Sequence, residues 1–343
     1  MTVDLTRLEE IVESFTKQTV VVLADFVADR FVSGEISRVS REAPVLILRH
    51  RETELLPGGG ANATNNLADL GARVFPVSAI GDDDAGRALV EYFRKKHVDV
   101  TGLVQAKGWS TPVKTRYLAG WTHTTRQQVL RVDREPSAPL GASTQKTLLG
   151  KALQRAKRAG VLLASDYGFG SVTPAAVKTL RRAGGAKLKI TLDSRYCLGD
   201  YSSAGITAAT PNESELESMH HVKFAGDQVS VETLGQKTLK ALRLEALVVT
   251  RGKDGMVVFE RNAKPKQISV FGSDEAADVT GAGDTVIAVF SLALAAGATY
   301  SEAAELANYA AGIVVMKRGT ATVHREELLA ALRNEATGKN RIS

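Results

Sequence analysis

Residues Asp278 to Asp284 read DVTGAGD and run directly into the apolar stretch TVIAVFSLALAAG, so a carboxylate lies one residue inside a buried helix that opens on a glycine turn. The backbone N–H groups of Gly281, Ala282 and Gly283 are expected to lack intrahelical acceptors. With the helix dipole they suit a phosphoryl group that carries charge in a transition state. Asp284 is then the candidate general base, able to take the proton of a hydroxyl that attacks phosphorus. An ordinary capped helix start would use similar letters, so the heptapeptide needs support from elsewhere in the chain.

Four further motifs supply it. PGGGANATNNLADLG, residues 57 to 71, sets Gly58 and Gly59 ahead of a helix predicted to begin at Asn62 and close at Gly71. Its glycines either admit a ligand close to the backbone, with Asn62 bonding substrate hydroxyls, or form a plain N-cap and glycine stop. In ADFVADR, Asp25 and Asp29 follow the first strand as paired acceptors for a polyhydroxy ligand, unless one is a turn aspartate. Asn212 and Glu215 of TPNESE, three apart, share a helical face from which they would order the water shell of Mg²⁺ near a nucleotide. The competing reading is a capping pair. Thr250, Gly252 and Gly255 form T-x-G-x-x-G, a strand-end turn whose small residues admit a nucleotide phosphate or ribose. No G-x-x-x-x-G-K-S/T occurs, and no G-x-G-x-x-G follows the first strand, which excludes a P-loop enzyme and argues against a Rossmann dehydrogenase.

Composition narrows the ligand. The 343 residues are 44% hydrophobic and 24% charged, an ordinary globular balance, and carry a net charge of +6. The basic excess is local. Lys107, Lys114, Arg116, Arg126, Arg131 and Arg134 stand against a single acid, Asp133, and Arg30, Arg38, Arg41, Arg49 and Arg51 form a second group. Without aromatic or helical reading elements this points to a phosphorylated small molecule rather than to nucleic acid. The single cysteine, Cys197, allows no internal disulfide, and the six histidines, with His220 and His221 adjacent, do not read as metal ligands. The start MTVDLTRLEEIVESF lacks a signal peptide, and no apolar run reaches membrane-spanning length, so the expected location is cytoplasmic.

The elements that must position these residues alternate β-branched runs with helical-period segments, the pattern of an α/β fold: a mostly parallel sheet flanked by helices. Predicted strands are 19–24, 73–80, 161–165, 187–193, 206–210, 246–250 and 256–260. Asp166, Asp193, Asn212 and Thr250 fall at or just past their carboxyl ends, where open α/β sheets bind ligands. Segments of about 30–54 and 113–134 break the pattern with short Thr/Val/Arg-rich runs and read as a small β lid on a single domain spanning 1–343. The tail after Thr337 reads as frayed.

Taken in chain order, GG-x-x-N near residue 60, N-x-x-E at 212, T-x-G-x-x-G at 250 and DVTGAGD at 278 resemble the ribokinase-like (PfkB) carbohydrate kinases. DFVADRFVSGEISRVSREAPV, TPVKTRYLAG, QQVLRVDRE, ASDYGFG and DVTGAGDTVIAVF further resemble the kinase half of the bacterial ADP-heptose synthesis enzymes, over roughly residues 15 to 330. That resemblance implies ATP-dependent, Mg²⁺-assisted phosphorylation of the anomeric hydroxyl of D-glycero-D-manno-heptose 7-phosphate, a step toward the lipopolysaccharide core precursor, in a homodimer formed through the β lid. Within it, Asp284 matches the base and Gly281, Ala282 and Gly283 the anion hole; Gly59, Asn62 and Asp29 match sugar contacts. Asn212 and Glu215 match the motif governing Mg²⁺ and phosphate, without a direct protein ligand to the metal, and Thr250, Gly252, Gly255 and Asn308 match the nucleotide side, on which Asp193 and Arg195 are also placed. Arg38, Lys114 and Arg116 are assigned to the 7-phosphate because a kinase for a phosphorylated sugar needs a second anion site, far from the transferring group.

Three departures bear on the substrate: Asp193-Ser194-Arg195 stands where a D-P-K run is usual, Ala24 replaces a glycine, and Trp121 occupies a lid turn. No H-x-G-H signature is present, so a separate adenylyltransferase is expected downstream. A kinase for another sugar and a catalytically silent sugar- or nucleotide-binding protein are the alternatives.

Overall fold

The computed structural model describes residues 4–121, 126–196, 198–223, 228–272 and 277–337. Cys197 and the tail beyond Thr337 lie outside them. In chain order the strands are β1 Thr19–Ala24, β2 Phe26–Val39, β3 Leu46–Gly59, β4 Arg73–Ile80, β5 Leu103–Gln105, β6 Val113–Gly120, β7 Gln127–Arg134, β8 Val161–Asp166, β9 Lys189–Ser194, β10 Ala208–Ala209, β11 Ala246–Thr250, β12 Met256–Glu260 and β13 Lys266–Ile268.

The large sheet runs β13-β12-β11-β10-β9-β8-β1-β4-β5. It is parallel from β11 to β5 and antiparallel only at β12 and β13. The sequence TVVVLA explains the place of β1: β-branched side chains on both faces suit a strand covered by helices on each side, and five of its six residues are buried. The helix Ala282–Ala295 covers one face and is buried on nearly every side, as its uniformly apolar sequence requires. Its one central hydroxyl, Ser291, is satisfied by Ile287 O and by Thr191 Oγ1 of β9, each at 2.6 Å.

The predicted lid segments form a second sheet, β3-β2-β6-β7, longer than the sequence suggested. β2 starts two residues after β1 ends, and β3 runs on to Gly59, so the expected boundaries at 30 and 54 fall inside strands. Their inner ends therefore belong to the site rather than to an appendage above it. Strand 206–210 contracts to Ala208–Ala209, and β5 and β13, three residues each, were too short to show a period. Among the described residues no helix is long and apolar enough to cross a membrane.

Candidate active site

Parallel neighbours bring their carboxyl ends to one edge of the large sheet. Thr250 ends β11, with Asn212 bridged beside it; Asp193 and Ser194 end β9; Asp166 ends β8; and Asp25 follows β1. Over this edge stands the start of the helix Ala282–Ala295, whose N-cap, Gly281, is left-handed at φ 81°. A side chain there is doubly disfavoured, by that φ and because its Cβ would fall on Asn62 Nδ2.

Asp284, one turn inside, is 5% exposed. Tyr167 donates its hydroxyl to Asp284 Oδ1 at 2.7 Å, and Asn62 Nδ2 donates to Oδ2 at 3.1 Å. Burial pushes the carboxyl up to about 6, with the two donors pulling against it. Asn62 is therefore not the helix initiator that its letters suggested. The helix runs Gly60–Asp69 behind an N-cap at Gly59, and Asn62 lies within it, fully buried. Asn66, one turn on, joins the two helices by donating to Asn62 O and accepting from Thr285 Oγ1.

The expected trio of free amides is corrected to two, because the Ala282 N–H donates to Val279 O at 3.2 Å. The N–H groups of Gly281 and Gly283 have no acceptor among the described residues. A Cβ on Gly283 would meet nothing within 4 Å, so the backbone there stands open to a ligand.

On the sugar side, Asp25 and Asp29 part company. Asp25 is 1% exposed, and its oxygens accept the N–H groups of Tyr167, Phe169 and Ser171 at 2.8–3.0 Å. It shapes the 167–171 loop rather than meeting a ligand, which corrects its assignment as a substrate contact. Burial, reinforced by Asp166, pushes its carboxyl up to about 6. Asp29, on β2, lies against Gly58, where a Cβ would come within 2.6 Å of the carboxylate, and accepts Arg116 Nη1 at 2.6 Å.

The proposed phosphate trio does not assemble as such. Arg38 sits exposed near the outer end of β2, nine residues from Asp29, or about 30 Å of extended strand. Lys114 instead reaches toward the Asp284 side, its Nζ 5.1 Å from the Tyr167 ring centroid. Burial, helped by Arg195, lowers its pKa. Only Arg116 lines the cavity of about 620 Å³ beneath the second sheet, together with Arg126 and Arg318, which the sequence reading did not single out for this role. Glu52, Glu54 and Asp278 also line it.

Beyond Gly283 a second cavity, of about 180 Å³, is lined mainly by apolar groups, with Thr250, Gly252, Gly255 and Asn308 at its wall. Its size and character fit a planar aromatic base whose phosphates would lead to the helix N-terminus. Asn308 is held by Ser269 O at 2.9 Å.

Asn212 and Glu215 form a reciprocal capping box, each accepting the other's N–H at 2.9 Å, so the capping reading accounts for the Asn212 N–H and Oδ1. Glu215 retains a second oxygen, and burial pushes its carboxyl up to about 7. Burial raises Asp193 well above the usual carboxylate range, with Glu215, Asp284 and Asp166 adding to it and Arg195 opposing. Such crowded negative charge fits a divalent cation. Among the described residues no three acidic, His or Cys groups converge as a direct metal cage.

Two departures have structural reasons. Ala24 is fully buried, its methyl against the position a Gly60 Cβ would take, so it spaces β1 from the helix Gly60–Asp69 and does not face the cleft. Ser194 Oγ donates to Asp166 Oδ2 at 3.3 Å, and Tyr201 donates to the same oxygen. Tyr167 and Asn66 are the residues that motif reading missed. Only the ASDYGFG stretch held a signal, a strand end followed by two glycines.

Comparison with known proteins agrees with this geometry. The model of the pfkB family carbohydrate kinases matches residues 19–327. A protein named "Bifunctional protein HldE" from Paramagnetospirillum magneticum is 38% identical over 335 residues, 97% of this chain and 67% of its own length. A protein of the same name from Geobacter metallireducens is 38% identical over 315 residues, 91% of this chain and 62% of its own. The chain thus spans about two thirds of the length of these relatives. Among solved structures, phosphofructokinase-2 from Escherichia coli in complex with potassium superposes with a TM-score of 0.76 at 19% identity, covering 93% of this chain and 99% of that one. Ribokinase from Arabidopsis thaliana complexed with ribose and ATP gives 0.70 at 20% identity, covering 92% and 98%. At these identities the likeness is one of fold.

Proposed function

We propose that this chain, which belongs to the pfkB family of carbohydrate kinases, uses Mg-ATP to phosphorylate the anomeric hydroxyl of D-glycero-D-manno-heptose 7-phosphate. The observation that carries the substrate is the cavity under the second sheet, lined by Arg116, Arg126 and Arg318, of which Arg116 also pairs with the sugar-side residue Asp29. Three guanidinium groups suit a distal phosphate, and Glu52 and Glu54 suit the hydroxyls of a long polyol chain. The HldE relatives support the same reading.

In this mechanism Asp284 takes the proton from the sugar hydroxyl, and the Gly281 and Gly283 amides receive the charge that builds on the transferring group. Asn308, Thr250 and the glycines Gly252 and Gly255 would hold the nucleotide, and Glu215 and Asp193 would hold Mg²⁺ when it is bound. When bound, Mg-ATP supplies the phosphoryl group, and its cation spreads the charge of the phosphates. An adenylyltransferase would then consume the product.

Phosphorus NMR of reactions with heptose 7-phosphate, ribose, fructose and fructose 6-phosphate tests the substrate. The expected result is a new anomeric phosphate from heptose 7-phosphate alone. Turnover of a different sugar would move the substrate but keep the chemistry, and ligand binding with no turnover would favour the silent binding protein.

The second sheet also carries the proposed dimer. Leu130 and Val132, on one face of β7, are 55% and 48% exposed. Large apolar groups so exposed suit burial against a second copy. Leu130→Glu is expected to convert a dimer to a monomer in sedimentation, and a wild-type monomer would refute the interface.

A further inference from the structure

Tyr167 follows β8 directly, yet its side chain meets parts of the site drawn from three distant stretches of sequence. Its hydroxyl lies 2.7 Å from Asp284 Oδ1, the Lys114 ammonium stands over its ring, and a Cβ on Gly59 would come within 3.2 Å of that ring. The loop that carries it is fixed by Asp25, which accepts the N–H of Tyr167 itself at 3.0 Å. So rigid a mount is more than a surface tyrosine needs.

We propose that Tyr167 is the positioning residue of the general base: its hydroxyl holds Asp284 Oδ1 while Asn62 holds Oδ2, leaving the carboxylate in one orientation with free lone pairs for the sugar hydroxyl. This rests on Asp284 being the base. A carboxylate offers about four acceptor sites, and the two donors use one on each oxygen. The bond acts on reactivity as well as on geometry, because a donor to the charged form opposes the rise that burial imposes. The phenol itself stays protonated. Burial raises it well above its ordinary value, and the Asp284 and Asp193 charges raise it further. It is therefore a donor throughout the working range and no rival base. The other groups facing Asp284 are Asn62 from the helix Gly60–Asp69, Asp29 from β2, Lys114 from β6 and Asp193 from β9.

Tyr167→Phe separates the hydroxyl from the ring, since it keeps the packing against Gly59 and the Lys114 contact. Carbon NMR of labelled aspartate, with the Asp284 signal assigned by its loss in Asp284→Asn, reads the carboxyl directly and needs no substrate. The expected result is an upward shift of the Asp284 titration by about one pH unit. In turnover, kcat should fall about tenfold, the acid limb of kcat/KM should move upward by the same amount, and KM for ATP should stay put. If Tyr167→Phe does not fold, 3-fluorotyrosine at position 167, a stronger donor of nearly the same size, should move the titration downward. An Asp284 titration unmoved by either change overturns the proposal. A shifted titration in a protein that ignores heptose 7-phosphate would leave it standing and remove only the substrate.

Discussion

Asp284→Asn is expected to lower kcat by roughly 10²–10⁴-fold while leaving ATP binding nearly unchanged. The amide keeps the size of the carboxylate but cannot take a proton, so the loss measures base catalysis rather than packing. The substitution is not wholly silent in structure. Tyr167 and Asn62 both donate to Asp284, and an amide has one acceptor oxygen, so one donor loses its partner at a cost of about 1 kcal/mol. Relief of a buried charge offsets part of that, so the melting temperature should move little. In the wild type, the base works deprotonated and its carboxyl is pushed up to about 6. The kcat/KM value should therefore be level above that pH and fall tenfold per unit below it. A limb steeper than one proton would implicate Asp25, which titrates in the same range and anchors the loop bearing Tyr167. A kcat for Asp284→Asn within threefold of wild type would remove Asp284 from the chemistry.

The motifs announced themselves because each depends on backbone requirements that only a few residue types meet. Gly281 needs a positive φ, Gly58 must clear Asp29, and the 282–295 helix has to be apolar on every side to be buried. What stayed hidden is the side-chain pairing across the fold. Nothing in ADFVADR separates Asp25, which caps a loop more than 140 residues away, from Asp29, which faces the cleft. The spacing of Arg38, Lys114 and Arg116 in charge-rich segments gave no sign that one would sit at a sheet tip and another beside Tyr167. Arg318 was hidden for the opposite reason, being far in sequence from the other basic groups it joins. Long, uniformly buried strands such as β1 and β11 were legible from composition alone. The two-residue β10 exists because β9 and β11 flank it, which no local pattern encodes.

Arg116 has two roles that one substitution cannot separate. Its side chain is 11% exposed and pairs with Asp29, whose side chain is 5% exposed, at 2.6 Å. Burial raises the Asp29 carboxyl, and Arg116 is the chief group pulling it back. Arg116→Met should therefore leave a buried charge unopposed and destabilise the protein by on the order of 3–5 kcal/mol. Asp29→Asn should do likewise by stranding the guanidinium. In the double variant no charge is left over, and since a buried ion pair contributes little net stability, most of the loss should return. Urea titrations of the four proteins give the coupling directly, and additive losses would show that the pair is not the source. Substrate binding should behave differently. If Arg116 also meets the distal phosphate, the double variant regains its stability but keeps a raised KM for the sugar phosphate, with KM for ATP near the wild-type value. Recovery of both properties together would confine Arg116 to holding Asp29 and leave the distal phosphate to Arg126 and Arg318.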